Sequence, residues 1–467
     1  MTTRTAWTTA LVLDGEGPLH RQLERGLRGA IRSGRLIHDS VLPPSRELAE
    51  QLGCSRWAVT QAYGQLVAEG YLSTRVGSGT WVSWSGRTTG AVRRTGEVDR
   101  GSTYRFDLTP GIPDLRAFPR TRWGEAAREA ARALPTADLG HPDAAGYLPL
   151  RELLADYLQR SRGAVAAAGD VVIRSGVRAA VAQLCVDLRA AGVDRIGIED
   201  PGWTRLRDVI EATGVQAVPV PVDSEGLRVD VLTQQQDLRA VVVTSAHQFP
   251  TGVVLSPGRR LELIEWARRT NGLILEDDYD AEFRYDRNPL TTLQGMAPEQ
   301  VVLLGSVSKT LSPAIGLGWY VVRGPWRKAL TRSIGPGPST FDQATFAELL
   351  RAGAYDRQLR ALRRRYQSRR EQVVAAVRRD LPGWSIDGAA AGLHLIARLP
   401  DELAAGPVVA AARRTGIRLV ALSQYQVRAG GDSSGIVLGY GNLADGDVDA
   451  AIGSLARTCA LVRESAR

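Results

Sequence analysis

The first part of the chain carries hydrophobic residues at helical spacing. Leu19, Leu23, Leu27 and Ile31 follow one another every four residues, which predicts a helix with one apolar face. Gly34 is placed to end that helix. The pattern predicts that a compact helical unit begins here.

Two further helices are predicted after the first. In LPPSRELAEQLG, Pro44 suits a first helical turn and Gly53 suits a C-terminal cap. After a tight turn, Ser55 can cap a third helix, which Gly70 ends. The inner face of this third helix carries apolar side chains at helical spacing, namely Val59, Ala62, Tyr63, Leu66 and Val67.

The pattern changes from helical spacing to alternation after Gly70. The segment YLSTRVGSGTWV alternates around Gly77-Ser78-Gly79, which predicts a two-stranded hairpin. Two helices joined by a short turn and followed by a hairpin form a winged helix-turn-helix, which we place at residues 10–84. A small helical subdomain with a hairpin is the alternative interpretation.

Residues 85–105 lack apolar periodicity. They are rich in Gly, Ser, Thr and Arg, which predicts a flexible linker. The arginines of the linker could contact a phosphate backbone, although solvation alone explains such a composition equally well.

Beyond the linker, short apolar runs alternate with amphipathic helical patterns. This alternation predicts an α/β domain over residues 106–467 with a mostly parallel, doubly wound sheet, in which ligands bind at the carboxyl ends of the strands. After about residue 345, the runs LHLIARL and GIVLGYG predict a smaller α+β C-terminal subdomain. The predicted buried strands of the sheet are 171–173, 195–200, 240–245, 272–277 and 301–305.

Composition narrows the class of protein. The formal net charge of +9 permits nucleic-acid binding without establishing it. No run of about 18 apolar residues occurs, so we expect a soluble, cytoplasmic protein without a membrane span. The three cysteines are far apart and indicate neither a disulfide framework nor a Cys-rich metal site. Arginine supplies nearly all the basic charge, the only lysines being Lys309 and Lys328.

Two motifs place reactive groups after predicted strands. In GSVSKTLSPAIGLGW, Lys309 is flanked by Ser306 and Ser308, whose hydroxyls can face a phosphate. In LILEDDYDAEF, Asp277 lies at the end of a buried strand and Tyr279 follows two residues later. A pyridoxal 5′-phosphate (PLP) site needs such groups, because an amine attaches the aldehyde and a carboxylate holds the pyridine nitrogen.

Three other predicted strands end in groups that suit the same site. Ser175-Gly176 precedes a helix whose N-terminus can bind phosphate, although such a pair alone is weak support. Trp203 and Arg205 follow the strand in IGIEDPGWTRLR, and His247 follows the strand in VTSAHQFPTG. His247 has no metal-binding partner that the sequence reveals, so we predict no metal site.

These motifs resemble two known families. Residues 18–82 are similar to the GntR family of regulators almost end to end. From about residue 10 to residue 460 the chain resembles the MocR/GabR family, including its PdxR-like members, in which a GntR winged helix is joined to a class I aminotransferase-like domain of PLP fold type I. The resemblance implies that Lys309 binds PLP, with Asp277 at the pyridine nitrogen, Tyr279 at the ring hydroxyl and Trp203 over the ring.

The resemblance also implies a DNA-binding surface on the winged helix. An arginine fork can grip guanine or phosphate, and Ser55 with the helix amides can hold a phosphate. For any single arginine a solvated surface charge is the alternative. The residues assigned to DNA, including the wing tip, are Arg46, Ser55, Arg56, Trp57, Thr60, Gly77 and Ser78.

The chain departs from the aminotransferase pattern in its phosphate site. Class I proteins commonly carry Arg where this chain has Gly316, which removes a charge-assisted phosphate contact. Arg178, on the first turn after Ser175-Gly176, stands where the family often has Gln. We therefore expect Arg178 to restore the positive charge.

Further departures concern the substrate and the cofactor ring. Val437 stands where aminotransferases and GABA-sensing members carry the Arg that holds the substrate carboxylate, a role that Arg205 or Arg428 could take. Phe249 replaces the usual Asn, so the ring-hydroxyl contact is expected to pass to His247 or Gln248. His141 stands where related proteins place a Tyr that reaches the phosphate of a neighbouring subunit. An ordinary surface histidine is the alternative for His141.

These features predict a transcription regulator that binds double-stranded DNA as a homodimer. Its aminotransferase-like domain is interpreted as a vestigial enzyme that senses PLP or a PLP-reactive amine, with control of vitamin B6 metabolism as one outcome. The alternatives are an active PLP-dependent aminotransferase with an accessory DNA-binding domain, and a PLP-storage protein with a vestigial winged helix.

Overall fold

The chain forms two compact units, Met1–Ser102 and Thr103–Arg467. In the part of the chain that the structure describes, none of the helices combines the length and apolar character needed to cross a bilayer. The structure is a computed structural model, and it describes residues 11, 13–75, 79–85, 104–235, 237–285, 290–333, 335, 337–427 and 434–466.

The N-terminal unit consists of three helices and a small sheet. Strand β3 lies between β1 and β2 and pairs antiparallel with both. The predicted hairpin is therefore part of a three-stranded sheet, because the two-residue β1 is too short to leave a pattern in the sequence. The elements are α1 (Leu19–Arg32), β1 (Val41–Leu42), α2 (Ser45–Leu52), α3 (Arg56–Ala68), β2 (Leu72–Arg75) and β3 (Gly79–Val82).

Local sequence signals set the ends of α2 and α3. The Ser55 hydroxyl accepts a hydrogen bond from the Ala58 amide at 3.2 Å, which caps α3 as expected. Gly53 ends α2 with a left-handed φ of 63°. The placement of Pro44 in the first turn of α2 is wrong by one position, since Pro44 precedes that turn with extended backbone.

The core of this unit is formed by the helix faces that the periodicity predicts. Leu23, Leu27 and Ile31 of α1 are buried against α3, and Leu19 lies partly buried at the edge of the cluster. Val67 of α3 also lies at that edge. The fully buried part of the α3 face is Val59, Ala62, Tyr63 and Leu66.

The large unit begins with β4 (Phe106–Asp107) and centres on an eight-stranded sheet with the order β5-β12-β11-β10-β9-β6-β7-β8. The central strands are parallel, whereas β12 is antiparallel to β11 and β5. The eight strands are β5 (Val171–Arg174), β6 (Arg195–Asp200), β7 (Gln216–Asp223), β8 (Gly226–Leu227), β9 (Ala240–Val243), β10 (Leu273–Asp277), β11 (Val301–Ser306) and β12 (Gly318–Val321).

Helices cover both faces of this sheet. On β5, Val172 packs with α6 and α7, whereas Val171 and Ile173 pack on the opposite face with α5 and α12. Successive strand residues point to opposite faces, so the sheet is doubly wound, as the alternation predicts. The helices are α4 (Arg120–Ala133), α5 (Leu148–Arg162), α6 (Val177–Ala190), α7 (Thr204–Ala212), α8 (Val229–Thr233), α9 (Pro257–Thr270), α10 (Leu293–Met296), α11 (Arg327–Leu330), α12 (Thr340–Arg351), α13 (Ala354–Asp380), α14 (Ala405–Arg414) and α15 (Val448–Ala466).

A second, antiparallel sheet with the order β13-β14-β17-β16 packs against the C-terminal helices. Strand β15 pairs with β4, so the start of the large unit returns to this subdomain. The predicted smaller α+β subdomain is confirmed. Its strands are β13 (Ser385–Asp387), β14 (His394–Arg398), β15 (Ile417–Arg418), β16 (Val420–Ala421) and β17 (Gly435–Gly439).

The structure also differs from the predicted strands. β7 and β8 have no counterpart among them. β12 was not predicted, because an antiparallel strand inserted between β5 and β11 breaks the simple alternation of strands and helices. The run predicted over 240–245 ends as a strand at Val243. The next two residues bond to buried carboxylates instead, Thr244 to Glu199 and Ser245 to Glu276.

One buried ion pair ties α5 to the end of β10. The Arg162 guanidinium donates to both carboxylate oxygens of Asp278, at 2.6 and 2.7 Å. The exposed fractions of the two side chains are 1% and 6%. Asp278 directly follows Asp277, so this pair also fixes the position of the strand end.

We predict that Arg162→Ala lowers the free energy of unfolding by about 3–5 kcal/mol, because it leaves the Asp278 carboxylate buried without its partner. The measurement is urea unfolding followed by tryptophan fluorescence. Arg160→Ala, at an exposed position on the same helix, is the control and should cost no more than about 0.5 kcal/mol. Equal losses in the two variants would contradict the assignment.

Candidate functional site

The topology gathers the predicted site residues at one edge of the large sheet. Strands β5, β6, β9, β10 and β11 all run in the same direction, and each is followed by one of the sequence motifs. Ligands of doubly wound sheets bind at this edge. The groups that follow the five strands are Ser175-Gly176, Trp203, His247, Asp277 with Tyr279, and Ser306 to Lys309.

Lys309 is partly buried in this edge. Burial lowers the pKa of its amine, and the nearby carboxyl groups of Asp280 and Asp277 oppose that shift. The amine donates a hydrogen bond to the carbonyl of Gly111. Gly111 has a left-handed φ of 83°, and a Cβ there would lie 3.1 Å from the Lys309 Nζ. Glycine is therefore what lets the backbone pass this close to the amine.

Asp277 ends β10 in a buried position. Its Oδ1 has no hydrogen-bond partner among the described residues. Burial, reinforced by the neighbouring Asp278, raises the pKa of Asp277 to about 7, although Lys309 acts in the opposite direction. A buried polar atom of this kind is costly unless a ligand supplies its partner.

Tyr279 lies in a hydrogen-bonded group with His247 and Asp280. The Nδ1 of His247 is 2.9 Å from the Asp280 Oδ2 and 3.0 Å from the Tyr279 hydroxyl. Burial, followed by the charge of Asp280, raises the pKa of Tyr279 well above its usual value. The structure thus brings together Tyr279 and His247, which the sequence assigned to the same part of a cofactor.

His247 has neighbours that the sequence did not reveal. His394 packs against it with ring centroids 5.1 Å apart, and one ligand atom each from His247, Asp280 and His394 lie within 4.8 Å of one another. His247 therefore has neighbours of the metal-ligand type, contrary to the expectation from the sequence. The atoms already have other bonds, however, since His247 pairs with Asp280 and the His394 Nε2 contacts the Pro250 carbonyl at 3.1 Å.

The Gln248 side chain is held by hydrogen bonds within its own loop and to residues at the end of β6. Its Nε2 lies 2.9 Å from the Pro201 carbonyl and 3.2 Å from Glu199, and its Oε1 accepts a hydrogen bond from the Thr251 amide at 3.0 Å. Of the two residues to which the ring-hydroxyl contact was expected to pass, His247 is therefore the better placed. Glu199 also accepts from Thr244, and burial raises the pKa of Glu199 to about 7.

The predicted phosphate side of the site is formed by three adjacent strands. Ser306 of β11 is the register partner of Gly318 of β12, which in turn pairs with Arg174 of β5. A Cβ on Gly318 would lie 2.7 Å from the Gly176 Cα, so two glycines permit this close packing. Ser175, Gly176, Ser306 and Ser308 consequently lie at neighbouring positions along one edge.

Arg178 and Gly316, where a phosphate-binding charge is expected to be gained and lost, are both accessible. Arg178 is exposed on the first turn of α6. Gly316 has a left-handed φ of 61°, and a Cβ there would meet no described atom within 4 Å. Sequence reasoning missed Arg174, which is 3% exposed and donates to the carbonyls of Gly335 and Ala144 at 3.1 and 3.3 Å.

Other predicted residues lie at the margin of the site. Trp203 is half-buried and packs against the core on the α6 side of the sheet. Arg205 is exposed, and its charge acts on Tyr425, whose pKa burial raises to about 12. His141 is exposed in the loop before α5. Val437 is fully buried beside Ile396 and Leu422.

The candidate DNA surface is exposed on the N-terminal unit. Trp57 is 62% exposed and contacts the ring of His20, with centroids 5.4 Å apart. Arg46 and Arg56 are exposed near the starts of α2 and α3, and the Arg56 Nε lies 3.4 Å from the Ser45 hydroxyl. The Thr60 hydroxyl donates to the Arg56 carbonyl at 2.9 Å. The wing-tip predictions Gly77 and Ser78 lie outside the described residues, as does Arg428.

Asp280 is another residue of the site that sequence reasoning missed. It lies in the quoted motif LILEDDYDAEF, but the sequence gives no means of choosing it among the acidic residues of that motif. The signal that finds it is structural, since the Asp280 side chain is 1% exposed and contacts His247.

Comparisons with known proteins agree with this architecture. Residues 107–437 match the family described as aminotransferase class I and II, and residues 19–82 match the bacterial regulatory proteins of the gntR family. The pyridoxine biosynthesis regulator PdxR of Corynebacterium glutamicum is 34% identical over 90% of this chain and 91% of its own length. The probable rhizopine catabolism regulatory protein MocR of Rhizobium meliloti is 33% identical over 97% of each chain.

Solved aminotransferases share the fold of the large unit. An archaeal alanine:glyoxylate aminotransferase superposes with a TM-score of 0.69 at 24% identity, covering 77% of this chain and 91% of its own. The α-aminoadipate aminotransferase LysN of Thermus thermophilus, complexed with N-(5′-phosphopyridoxyl)-L-leucine, gives 0.67 at 22%, covering 78% and 96%. The fold and the family matches define a GntR winged helix joined to an aminotransferase domain. The chain belongs to the MocR/GabR family of HTH-type regulators, which its sequence motifs resemble.

We predict that Asp277→Asn stabilises the ligand-free protein at pH 8. The folded-state pKa of Asp277 is raised to about 7 from an ordinary value of 3.8, so the folded state binds its proton more tightly than the unfolded state does. Wild-type stability therefore falls as pH rises from about 4 through 7, and Asn removes this loss of about 1 kcal/mol or more.

The measurement is the thermal midpoint at pH 4 and pH 8. The variant should exceed the wild type at pH 8 and match it near pH 4. Asp208→Asn, at an exposed position of α7, should show no such pH dependence. A variant that is destabilised at pH 8 would contradict the prediction.

Proposed function

We propose that this chain is a transcription regulator that binds DNA through its winged helix and binds PLP at Lys309. The observation that carries the PLP proposal is the unpartnered Oδ1 of Asp277, buried at a strand end beside the Lys309 amine. A pyridine nitrogen supplies the donor that this oxygen lacks. Regulators with the same two domains, PdxR and MocR, support the DNA half.

The residues fit the cofactor part by part. Lys309, whose pKa burial lowers, would attach the aldehyde, and Asp277 would hold the ring nitrogen. Tyr279 and His247 would face the ring hydroxyl, and Trp203 would lie over the ring. When bound, PLP supplies a carbonyl that reacts reversibly with amines and a ring that withdraws electrons. The phosphate would be held by Ser175, Gly176, Ser306 and Ser308, with the helix amides of α6.

The ligand of the site is proposed to be PLP itself or an amine that reacts with it. A bidentate arginine clamp is the usual means of holding a carboxylate. At the position of that arginine this chain has Val437, which lies in an apolar cluster with Ile396 and Leu422. Tyr425 packs against this cluster. This favours a sensor over a transaminase. Arg205, exposed beside Tyr425, is the residue through which an effector carboxylate would be held.

The regulator is further proposed to act as a cytoplasmic homodimer. His141 is exposed, so it is free to reach the phosphate of a neighbouring subunit. The effector would change the equilibrium between two arrangements of the dimer that differ in DNA affinity. PdxR is named for pyridoxine biosynthesis, and control of vitamin B6 genes by PLP is the corresponding role proposed for this chain.

We predict that Lys309→Ala abolishes PLP binding and the response of DNA binding to PLP, while DNA binding itself persists. The measurements are the visible absorption of the purified protein and its affinity for the DNA upstream of its own gene, with and without PLP. Wild-type affinity should fall steeply with salt.

Arg56→Ala is the complementary control. It should weaken DNA binding about tenfold or more and leave PLP absorption intact. A wild-type protein without PLP absorption would overturn the cofactor proposal. Sustained turnover of an amino donor with a keto acid, without DNA binding, would favour the enzyme.

We predict that Arg178→Ala weakens PLP retention about tenfold, because it removes the positive charge that compensates for Gly316. The measurement is the dissociation of PLP during dialysis, followed by absorption. Arg189→Ala, at the opposite end of α6, is the matched control, since Arg189 is exposed but far from the strand edge. Unchanged retention in Arg178→Ala would refute the compensation.

A further inference from the structure

A cavity of about 190 Å³ lies beside α13 in the large unit. One wall is the helix, and the other contains the segments that are joined by the bridge between Arg284 and Ala391. The Tyr285 amide donates to the Ala390 carbonyl at 2.9 Å, which holds this second wall together. The proposed PLP site does not use the residues that line the cavity, which are Tyr285, Gln367, Arg370, Glu371 and Ala390.

Arg370 is a half-buried cation in the lining of this cavity. Its Nε is shielded from water and has no hydrogen-bond partner. The other guanidinium nitrogens form no hydrogen bond or ion pair with the described residues either. Arg162 and Arg174 also have a buried nitrogen of this kind, but each of them bonds through its other nitrogens. Leaving a buried donor unpaired is costly unless a ligand supplies the acceptor.

The acid next to Arg370 does not pair with it. Glu371 follows directly on α13, and successive positions of a helix do not face each other. The Glu371 Oε1 instead accepts a hydrogen bond from the Gln367 Nε2 at 3.2 Å, one helical turn earlier. The lining of the cavity therefore contains an unpaired cation and, beside it, an exposed carboxylate.

These groups define the chemistry of a ligand for the cavity. The planar fork of an arginine can donate to both oxygens of a carboxylate, and the unpaired Nε belongs to that fork. The opposite wall contains Ala390 and Tyr285, whose methyl group and ring suit a short carbon chain. The charge of Glu371 repels further negative charge, which disfavours a phosphate dianion. A small ligand with a single carboxylate fits these requirements.

The backbone of Gly392 lies between this cavity and the proposed PLP site. On one side, the Tyr285 hydroxyl donates to the Gly392 carbonyl at 2.5 Å. On the other side, a Cβ on Gly392 would lie 2.2 Å from the His247 Cε1. The two sites therefore have a segment of backbone between them, and a ligand in one leaves the other open.

We propose that the cavity beside α13 is a second ligand site, which binds a small, singly charged carboxylate through the Arg370 guanidinium. The site goes beyond the proposed PLP function and does not depend on it. The groups that form the site are all supplied by α13 and by the segments around Tyr285 and Ala390.

Fluoroacetate is a suitable probe, because it combines one carboxylate with a short carbon chain and is visible by fluorine NMR. Titration of the full-length, PLP-free protein at constant ionic strength should give saturable binding. Acetate should displace the probe, whereas inorganic phosphate at the same concentration should not. Saturating the protein with PLP should leave the fluoroacetate affinity unchanged, since PLP is expected at the Lys309 site.

Three substitutions on α13 test the two charges separately. Arg370→Gln should weaken fluoroacetate binding about tenfold or more, because it removes the charged donor. Arg364→Gln is the matched control, since Arg364 is exposed on the same helix and does not line the cavity. Glu371→Gln should strengthen binding about threefold, because it removes the repulsion of an exposed charge.

No saturable binding by the wild type would overturn the proposal, as would equal affinities in Arg370→Gln and Arg364→Gln. If Arg370→Gln does not fold, Glu371→Gln decides, because unchanged or weaker binding in that variant would also overturn it. Displacement by phosphate as effective as displacement by acetate would overturn the carboxylate assignment. Loss of the probe on addition of PLP would assign it to the Lys309 site instead. Failure of the wild type to bind PLP would refute the proposed function and leave the fluoroacetate titration as the test of this site.

Discussion

The large domain depends on how it neutralises five carboxyl groups within residues 276–282. Taking a carboxylate out of water is costly unless hydrogen bonds or an opposite charge replace the solvent. Glu276 accepts hydrogen bonds from the Ser245 hydroxyl and from the amides of Leu293 and Gln294, which anchors β9 and α10 to the end of β10. Asp278 forms an ion pair with Arg162 of α5. Neutralising these acids therefore also joins the elements around the site.

Of the other three acids in this segment, Glu282 and Asp277 are held closer to their neutral form, and Asp277 and Asp280 lie at the site. Burial raises the pKa of Glu282 to about 7, and the Tyr157 hydroxyl donates to it at 3.3 Å. The Asp280 carboxylate lies 2.9 Å from the His247 Nδ1. Within this segment, Asp277 has the one fully buried carboxyl oxygen that lacks a partner among the described residues. A segment that satisfies its other acids with protein groups, and leaves this one open beside an amine, is organised for a ligand.

Sequence reasoning predicted the parts of the structure that depend on local order along the chain. The strands that precede Asp277 and Lys309 were predicted because a buried parallel strand is a continuous apolar run. Strand β12 and the neighbours of His247 were missed, since they depend on register between segments far apart in sequence. His394 lies 147 positions after His247. Asp280 is likewise distinguished from the adjacent acids by its packing against Gly392. No local sequence pattern indicates that Gly392 lies near that motif.

A sensor and an enzyme differ in whether their site must transfer protons. A transaminase moves protons at each turnover, so its catalytic groups need access to more than one protonation state. Here the His247 Nδ1 lies within hydrogen-bond distance of both Tyr279 and Asp280, and the Gly392 backbone packs closely against His247 and Asp280. Val437, buried among apolar side chains, occupies the position at which the sequence resemblance places the usual carboxylate clamp. Such a site would hold one ligand state firmly, which is the property that the proposed sensor needs so that occupancy, rather than turnover, determines its affinity for DNA.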